Sequence, residues 1–303
     1  MSTMLVTGAT GLIGSRALDR WPDAKALART PAKVAQKHPR VVTLPWETHE
    51  AVPSGAMDGV SVVLHLAGEP VAGPRWTEAR KATILDSRVL GTRNIVNAIG
   101  SAKERPQLLV CASAVGYYGP RGDEVLTEES ARGEGFLADV CVAWEREALA
   151  AEELGVRVVC LRIGIVLAPK GGALDAMLPL FRKGLGGPLG NGKQWMPWVH
   201  IDDVLGMIAF AIEREALRGP LNVTAPSPVT NRDFTKALGE ALHRPAVVPA
   251  PLFGLKLVLG EFADTVVASQ RAVPERAAKE GYAFIHTDLS AALRDVVDAA
   301  KGA

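Results

Sequence analysis

Residues Met4–Thr7 form a short apolar run that passes directly into Gly8-Ala9-Thr10-Gly11-Leu12-Ile13-Gly14, and a helical pattern follows at once. Three glycines so placed restrict the chain to a narrow set of folds. Gly8 permits a tight turn, Gly11 lets the backbone approach an anionic group, and Gly14 lets the helix pack closely on the strand. The amides of Gly11, Leu12 and Ile13 open that helix, with Thr10 in the same turn, and would face phosphate oxygens. Strand, glycine turn and helix in this order predict a site for the pyrophosphate of a dinucleotide.

The next two-thirds of the chain repeat the alternation. Apolar runs at Lys25–Ala28, Val41–Leu44, Val62–Leu66, Gln107–Ala112 and Arg157–Leu161 are bounded by glycine, proline or polar residues and read as strands. Between them, Thr77–Gly100 and Phe136–Leu149 carry apolar residues at helical intervals. Such alternation predicts an α/β fold with a Rossmann-type, doubly wound parallel sheet. After Leu167 the texture changes to glycine and proline around one short helix, Ala173–Arg182, then a helix at Asp202–Arg214 and a strand at Leu221–Thr224. Helices dominate from Pro226, the last at Leu289–Ala300. The expected division is a nucleotide-binding domain of residues 1–167 plus 200–225, and a smaller, mostly helical substrate lobe of 168–199 plus 226–303.

The end of the second strand selects the cofactor. An NAD site places a carboxylate there to accept from the ribose hydroxyls. This chain has Ala28-Arg29-Thr30, with Lys33 one turn later. A guanidinium at that point suits a 2′-phosphate, so NADP is expected. A second glycine-rich stretch, Gly187–Lys193, lacks both the preceding strand and the Ser/Thr that holds magnesium in a phosphate-binding loop, so no ATP site is expected.

Charge and composition exclude other classes. Thirty-four Lys and Arg against thirty-three Asp and Glu leave a net charge of +1, which predicts no attraction to nucleic acid or an anionic membrane. Hydrophobic residues at 48% exclude a largely disordered chain. Cys111, Cys141 and Cys160 have no disulfide or metal-knuckle spacing and read as buried thiols in a reducing compartment. The glycine-broken start is not a signal peptide, and no apolar run reaches the roughly 18 residues of a membrane helix. A cytoplasmic protein is expected.

TGATGLIG, then His65-Leu66-Ala67-Gly68, Val89-Leu90-Gly91-Thr92 and Tyr118-Gly119 resemble the landmarks of the extended short-chain dehydrogenase/reductase superfamily, as does Trp198-Val199-His200-Ile201-Asp202-Asp203. More narrowly, Ala67–Lys81, Phe136–Glu145, the Gly184–Asp203 stretch and Ser269–Tyr282 resemble the epimerase family with a DUF1731 C-terminal region. The resemblance covers nearly the whole chain. It implies that the glycine turn, Arg29, Thr30, Leu66, Ala67, Gly68, Glu69, Arg75 and Arg162 surround NADP.

The superfamily's catalytic residues are missing. In the register of those landmarks, the tyrosine and the lysine four residues later fall on Leu137 and Cys141. The Ser/Thr falls on Ala114, and the supporting asparagine on Arg88. Leucine cannot transfer a proton, and hydride transfer at a carbinol needs that transfer. Tyr117 and Ser113 are the substitute acids expected here, with Glu69, Asp139 and His200 as further candidates. Tyr118, Gln194, Trp195, Trp198 and His200 are expected to face a small polar substrate, with sugar derivatives among the candidates. The six histidines show no metal-ligand spacing, and no metal site is expected. His200 with Asp202 and Asp203 is the nearest approach, and helix-start chemistry accounts for those carboxylates. Two functions follow: an NADP-dependent oxidoreductase or epimerase-like enzyme with an unusual acid, or a binding-only regulator that kept the fold.

Overall fold

The computed structural model describes residues 3–301; the outermost residues of the two expected domains, 1–2 and 302–303, lie outside that range. Seven strands build one sheet: β1 (Thr3–Thr7), β2 (Lys25–Ala28), β3 (Thr43–Pro45), β4 (Val60–His65), β5 (Leu108–Ala114), β6 (Arg157–Ile163) and β7 (Gly219–Val223). Their order is β7-β6-β5-β4-β1-β2-β3 and every pairing is parallel. The order reverses between β1 and β4, where Thr7 pairs with His65. Ligands of open α/β sheets bind at such a switch point, beyond the carboxyl ends of the strands.

Alternation along the strands divides the core in two. Met4, Val6, Ala26, Val62, Leu64, Val110 and Leu161 face one way and pack under α1 (Leu12–Arg20) and α6 (Ile201–Glu213). Leu5, Leu27, Val63, Leu109, Cys111 and Cys160 face the other, against Ile95 and Ile99 of α3 (Glu78–Ser101) and Trp144 and Ala148 of α4 (Phe136–Leu149). Parallel strands buried on both faces account for the near-continuous apolar runs in the sequence. Thr77 starts α3 by accepting from the Arg80 amide.

A third core belongs to the smaller lobe. Leu174, Leu178 and Phe181 of α5 (Gly172–Arg182) meet Phe234 and Leu238 of α7 (Asn231–Leu242). Leu289, Leu293 and Val296 of the C-terminal helix Leu289–Ala299 complete it. Two short pairings tie the lobes together: Ile165–Leu167 with Trp198–His200, and Val125–Leu126 with Arg271–Ala272, both parallel. Among the described residues no helix is long and apolar enough to cross a membrane.

Candidate functional site

The glycine turn closes at the switch point. Gly8 has φ +67°, and a Cβ there would lie 2.7 Å from the Leu66 carbonyl oxygen. A Cβ on Gly14 would lie 2.2 Å from the Gly8 carbonyl oxygen, so only glycine lets α1 approach β1 this closely. No side chain caps α1 at Gly11. The Gly11 amide donates to the Gly8 carbonyl at 2.9 Å, which corrects the expectation that it serves a phosphate. The amides of Leu12 and Ile13 lie in the first helical turn, where no intrahelical acceptor exists. Open backbone at exposed Thr10 and Gly11, uncapped amides and a close strand–helix approach together fit a pyrophosphate. The start of α5 adds to this wall, because Gly172 stands against the Leu12 side chain.

Beneath the turn, Thr7 organises both strand ends. Its hydroxyl accepts from the Leu66 and Ala67 amides at 3.1 Å, which uses both lone pairs. The Thr7 proton therefore goes to His65 Nδ1 at 2.8 Å, and His65 Nε2–H donates to Thr92 at 3.1 Å. Burial lowers the His65 pKa to about 3 and keeps the ring neutral.

The residue that follows β2 is basic. Arg29 follows β2 with its side chain 70% exposed, 3.7 Å from the Glu69 carboxylate. Thr30 and Pro31 start the helix Pro31–Lys37. Glu69 also takes a 2.8 Å bond from Arg80, and its backbone is held by Ser87 and Arg88. Gly68 lies against the Arg88 guanidinium, which a Cβ would meet at 3.2 Å. Arg75, another expected cofactor residue, is engaged with the protein itself. Its guanidinium donates to the Leu257 carbonyl of the helix Leu252–Leu259, in the smaller lobe.

Past the end of β5 lies a buried ionic network. Leu137 and Cys141 of α4 pack on Gly116, at the loop after β5, and burial pushes the Cys141 thiol up to about 11. One turn further, Glu145 receives Arg162 through two 2.9 Å bonds and Ser113 through one of 2.7 Å. Burial opposes the Arg162 charge, but the Glu145 bond and charge outweigh it and raise the guanidinium pKa. Arg162 also donates to the Tyr118 hydroxyl at 3.0 Å, and that hydroxyl donates to Asn222 at 2.7 Å. Ser113 thus commits its proton to Glu145, contrary to its expected role as an acid. Tyr118 is fully buried, with its pKa pushed up to about 12 by burial, and does not face a substrate. Arg162, expected beside the cofactor, is 3% exposed and spent on this network.

Tyr117 differs. Its ring lies under the Arg162 guanidinium, 3.4 Å from centroid to Cζ, and is partly exposed. Its hydroxyl makes no hydrogen bond to any described residue. Glu145, Asn222 and Arg80 escaped the sequence reading. Glu145 alone had a visible signal, since it continues the face of Leu137 and Cys141 at i, i+4 spacing.

Gln194 borders a cavity of ≈ 410 Å³, together with Asp123, Asn191, Lys193 and Ser269. Trp195 stands beside it: its indole donates to Asp123 at 2.8 Å, and Arg271 covers its ring. Gln194 is largely buried, its amide donating to the Leu189 carbonyl. Trp198 is fully buried in the lobe's core and donates to the Ser227 carbonyl, which replaces its expected substrate contact. His200 is likewise buried and starts α6 by accepting from the Asp202 amide. A larger cavity, ≈ 920 Å³, lies along α7 among Arg232, Lys236, His243 and Arg244 and contains none of the expected site residues.

Residues 4–223 match the NAD dependent epimerase/dehydratase family, and residues 250–296 match a domain of unknown function, DUF1731. The chain belongs to that epimerase/dehydratase family. Epimerase family protein YfhF of Bacillus subtilis is 37% identical over 297 residues, covering 96% of this chain and 97% of its own. The chloroplastic SDR39U1 homolog of Arabidopsis thaliana is 39% identical over 306 residues, with 97% and 86% coverage. The crystal structure of human epimerase family protein SDR39U1 (isoform 2) with NADPH superposes with a TM-score of 0.85 at 32% identity, over 98% of this chain and 99% of that one. MoeE5 in complex with UDP-glucuronic acid and NAD shares the fold, with a TM-score of 0.80 at 23% identity. This epimerase-family chain thus combines a glycine turn at the sheet's switch point with Leu137 and Cys141 packed on Gly116, beside the buried Glu145–Arg162 pair.

Proposed function

We propose that the chain binds NADP(H) and acts as an oxidoreductase or epimerase-like enzyme on a small polar carbonyl or carbinol. The observation that carries the cofactor half is the end of β2, where exposed Arg29 stands in place of the carboxylate of an NAD site. The relative described with NADPH supports the same choice. The amides of Leu12 and Ile13 would hold the pyrophosphate, and Arg29 with Thr30 the 2′-phosphate. Bound there, the nicotinamide would exchange a hydride with substrate.

Tyr117 moves the proton that accompanies the hydride: its hydroxyl gives one to a carbonyl oxygen that receives hydride, and its phenolate takes one from a carbinol that loses hydride. Ser113 and Tyr118 already donate to Glu145 and Asn222, whereas the Tyr117 hydroxyl is uncommitted and its ring is fixed from one side by Arg162. The polar cavity between the lobes, with Asp123, Asn191 and Lys193, suits a hydroxyl-rich substrate. The free, buried cysteines suit a reducing compartment, and we place the protein in the cytoplasm.

One observation favours a second reading. The Glu145–Arg162 pair fills the ground of the usual acid–base machinery with groups already satisfied, as in a protein that binds the nucleotide without turning it over. Fluorescence titration with NADPH and NADH, followed by a panel of carbonyl substrates, separates the readings. Turnover lost in Tyr117→Phe supports the enzyme. Tight NADPH binding without turnover supports the regulator, and no affinity for either nucleotide overturns both.

A further inference from the structure

Behind the sheet's carboxyl edge, the C-terminal segment brings a second imidazole to the start of α6. His286 stacks on His200, ring centroids 3.7 Å apart and planes tilted by 31°. The Asp202 carboxylate lies between their nitrogens, its Oδ2 3.5 Å from His200 Nδ1 and 3.6 Å from His286 Nε2. One nitrogen from each ring and this carboxylate oxygen all fall within 4.8 Å of one another. Ligands of a tetrahedral ion bound at about 2.0–2.2 Å are about 3.3 Å apart, so the atoms must draw together by up to about 1.5 Å and the stacked rings must open until their lone pairs converge on the ion.

The other nitrogen of His200 strengthens the case. The side chain is 2% exposed and its Nε2 is without a hydrogen-bond partner, although Asp295 Oδ2 stands 3.2 Å away, off the line such a bond needs. A buried ring nitrogen without a partner is costly. When an ion holds His200 through Nδ1, its Nε2–H turns towards Asp295 and forms the carboxylate–histidine–metal relay that orients metal-bound imidazoles.

We propose that His200 Nδ1, His286 Nε2 and Asp202 Oδ2 form a binding site for a divalent transition-metal ion of the zinc class, with Asp295 as the outer partner of His200. Nitrogen and carboxylate ligands in a nearly closed set suit zinc or cobalt better than calcium or magnesium. Asp202 belongs to α6, His200 precedes it, Asp295 belongs to the C-terminal helix and His286 to the segment before it, so the ion would fasten the C-terminal segment to the nucleotide-binding domain. His200 gives up the 3.2 Å bond from the Asp202 amide in exchange. None of its ligands belongs to the Tyr117–Arg162 network, and the site does not depend on the proposed activity.

The test is titration of the chelator-treated full chain with Co²⁺ and, separately, Zn²⁺. One equivalent of Co²⁺ should develop the visible bands of a four-coordinate site, and Zn²⁺ should displace it and raise the melting temperature. His286→Ala and Asp202→Asn should each weaken binding at least about tenfold, the loss expected when a ligand is removed. His49→Ala, an exposed histidine elsewhere, should change nothing. Binding below one equivalent, or bands unchanged in His286→Ala, overturns the site. If that variant does not fold, ring-nitrogen NMR of the wild type with Zn²⁺ decides: shifts at His200 and His286 support the site, and shifts confined to other histidines overturn it.

Discussion

Glu145 grips Arg162 through both carboxylate oxygens, at 2.9 Å each, with neither side chain reaching solvent. The pair occupies the space one helical turn beyond the expected lysine position, and Ser113 and Tyr118 are bonded into it. Removing one partner leaves an uncompensated buried charge. Arg162→Ala should therefore lower stability by about 3–5 kcal/mol in urea unfolding, and the double change Glu145→Leu/Arg162→Met should recover much of the loss.

Gly14→Ala should weaken both fold and cofactor site, because its methyl would lie 2.2 Å from the Gly8 carbonyl oxygen. Overpacking of this kind costs about 1–3 kcal/mol. Calorimetry should show the lower melting temperature, and nucleotide titration the weaker binding.

Arg29→Ala should reduce NADPH affinity by about 10- to 100-fold, the worth of a charge-assisted contact, and leave NADH affinity nearly unchanged. Parallel fluorescence titrations read this directly. Equal losses for both nucleotides would remove Arg29 from the role of selecting the phosphate.

Tyr117→Phe removes a hydroxyl that bonds nothing in the described structure, so its melting temperature should match the wild type. Loss of a general acid should lower kcat by about 100-fold or more. Steady-state kinetics beside a melting curve separate the two effects.

His65 should make the protein acid-sensitive. Burial depresses its folded pKa to about 3, below the ordinary 6.5, so the unfolded chain binds the proton first as pH falls. The stabilisation is whole above pH about 6.5 and declines towards pH about 3, by about 1.4 kcal/mol per pH unit. Urea unfolding between pH 7 and about 4 should show a shallower slope for His65→Gln than for the wild type.

The strand, glycine turn and helix at the switch point were legible because their signal is local, and strand boundaries agree to within a few residues. Residues that meet only through the fold were not. Glu145 and Arg162 come from α4 and β6, and Asn222 reaches Tyr118 from β7. Tyr118 and Trp198 were expected to face a substrate, yet both turn inward, because a buried phenol or indole needs only one partner, here Asn222 and the Ser227 carbonyl. His286 lies far along the chain from His200, and no spacing rule connects them.

Asp203, beside the stacked imidazoles, is almost wholly enclosed and accepts from the Tyr282 hydroxyl and from the amides of Ile285 and His286. The distal stretch therefore works as a plug for an anion housed in the nucleotide-binding half. Cutting the chain before Tyr282 would strand that anion in a dry niche, and the damage would spread along α6 into the main sheet instead of stopping at the smaller lobe.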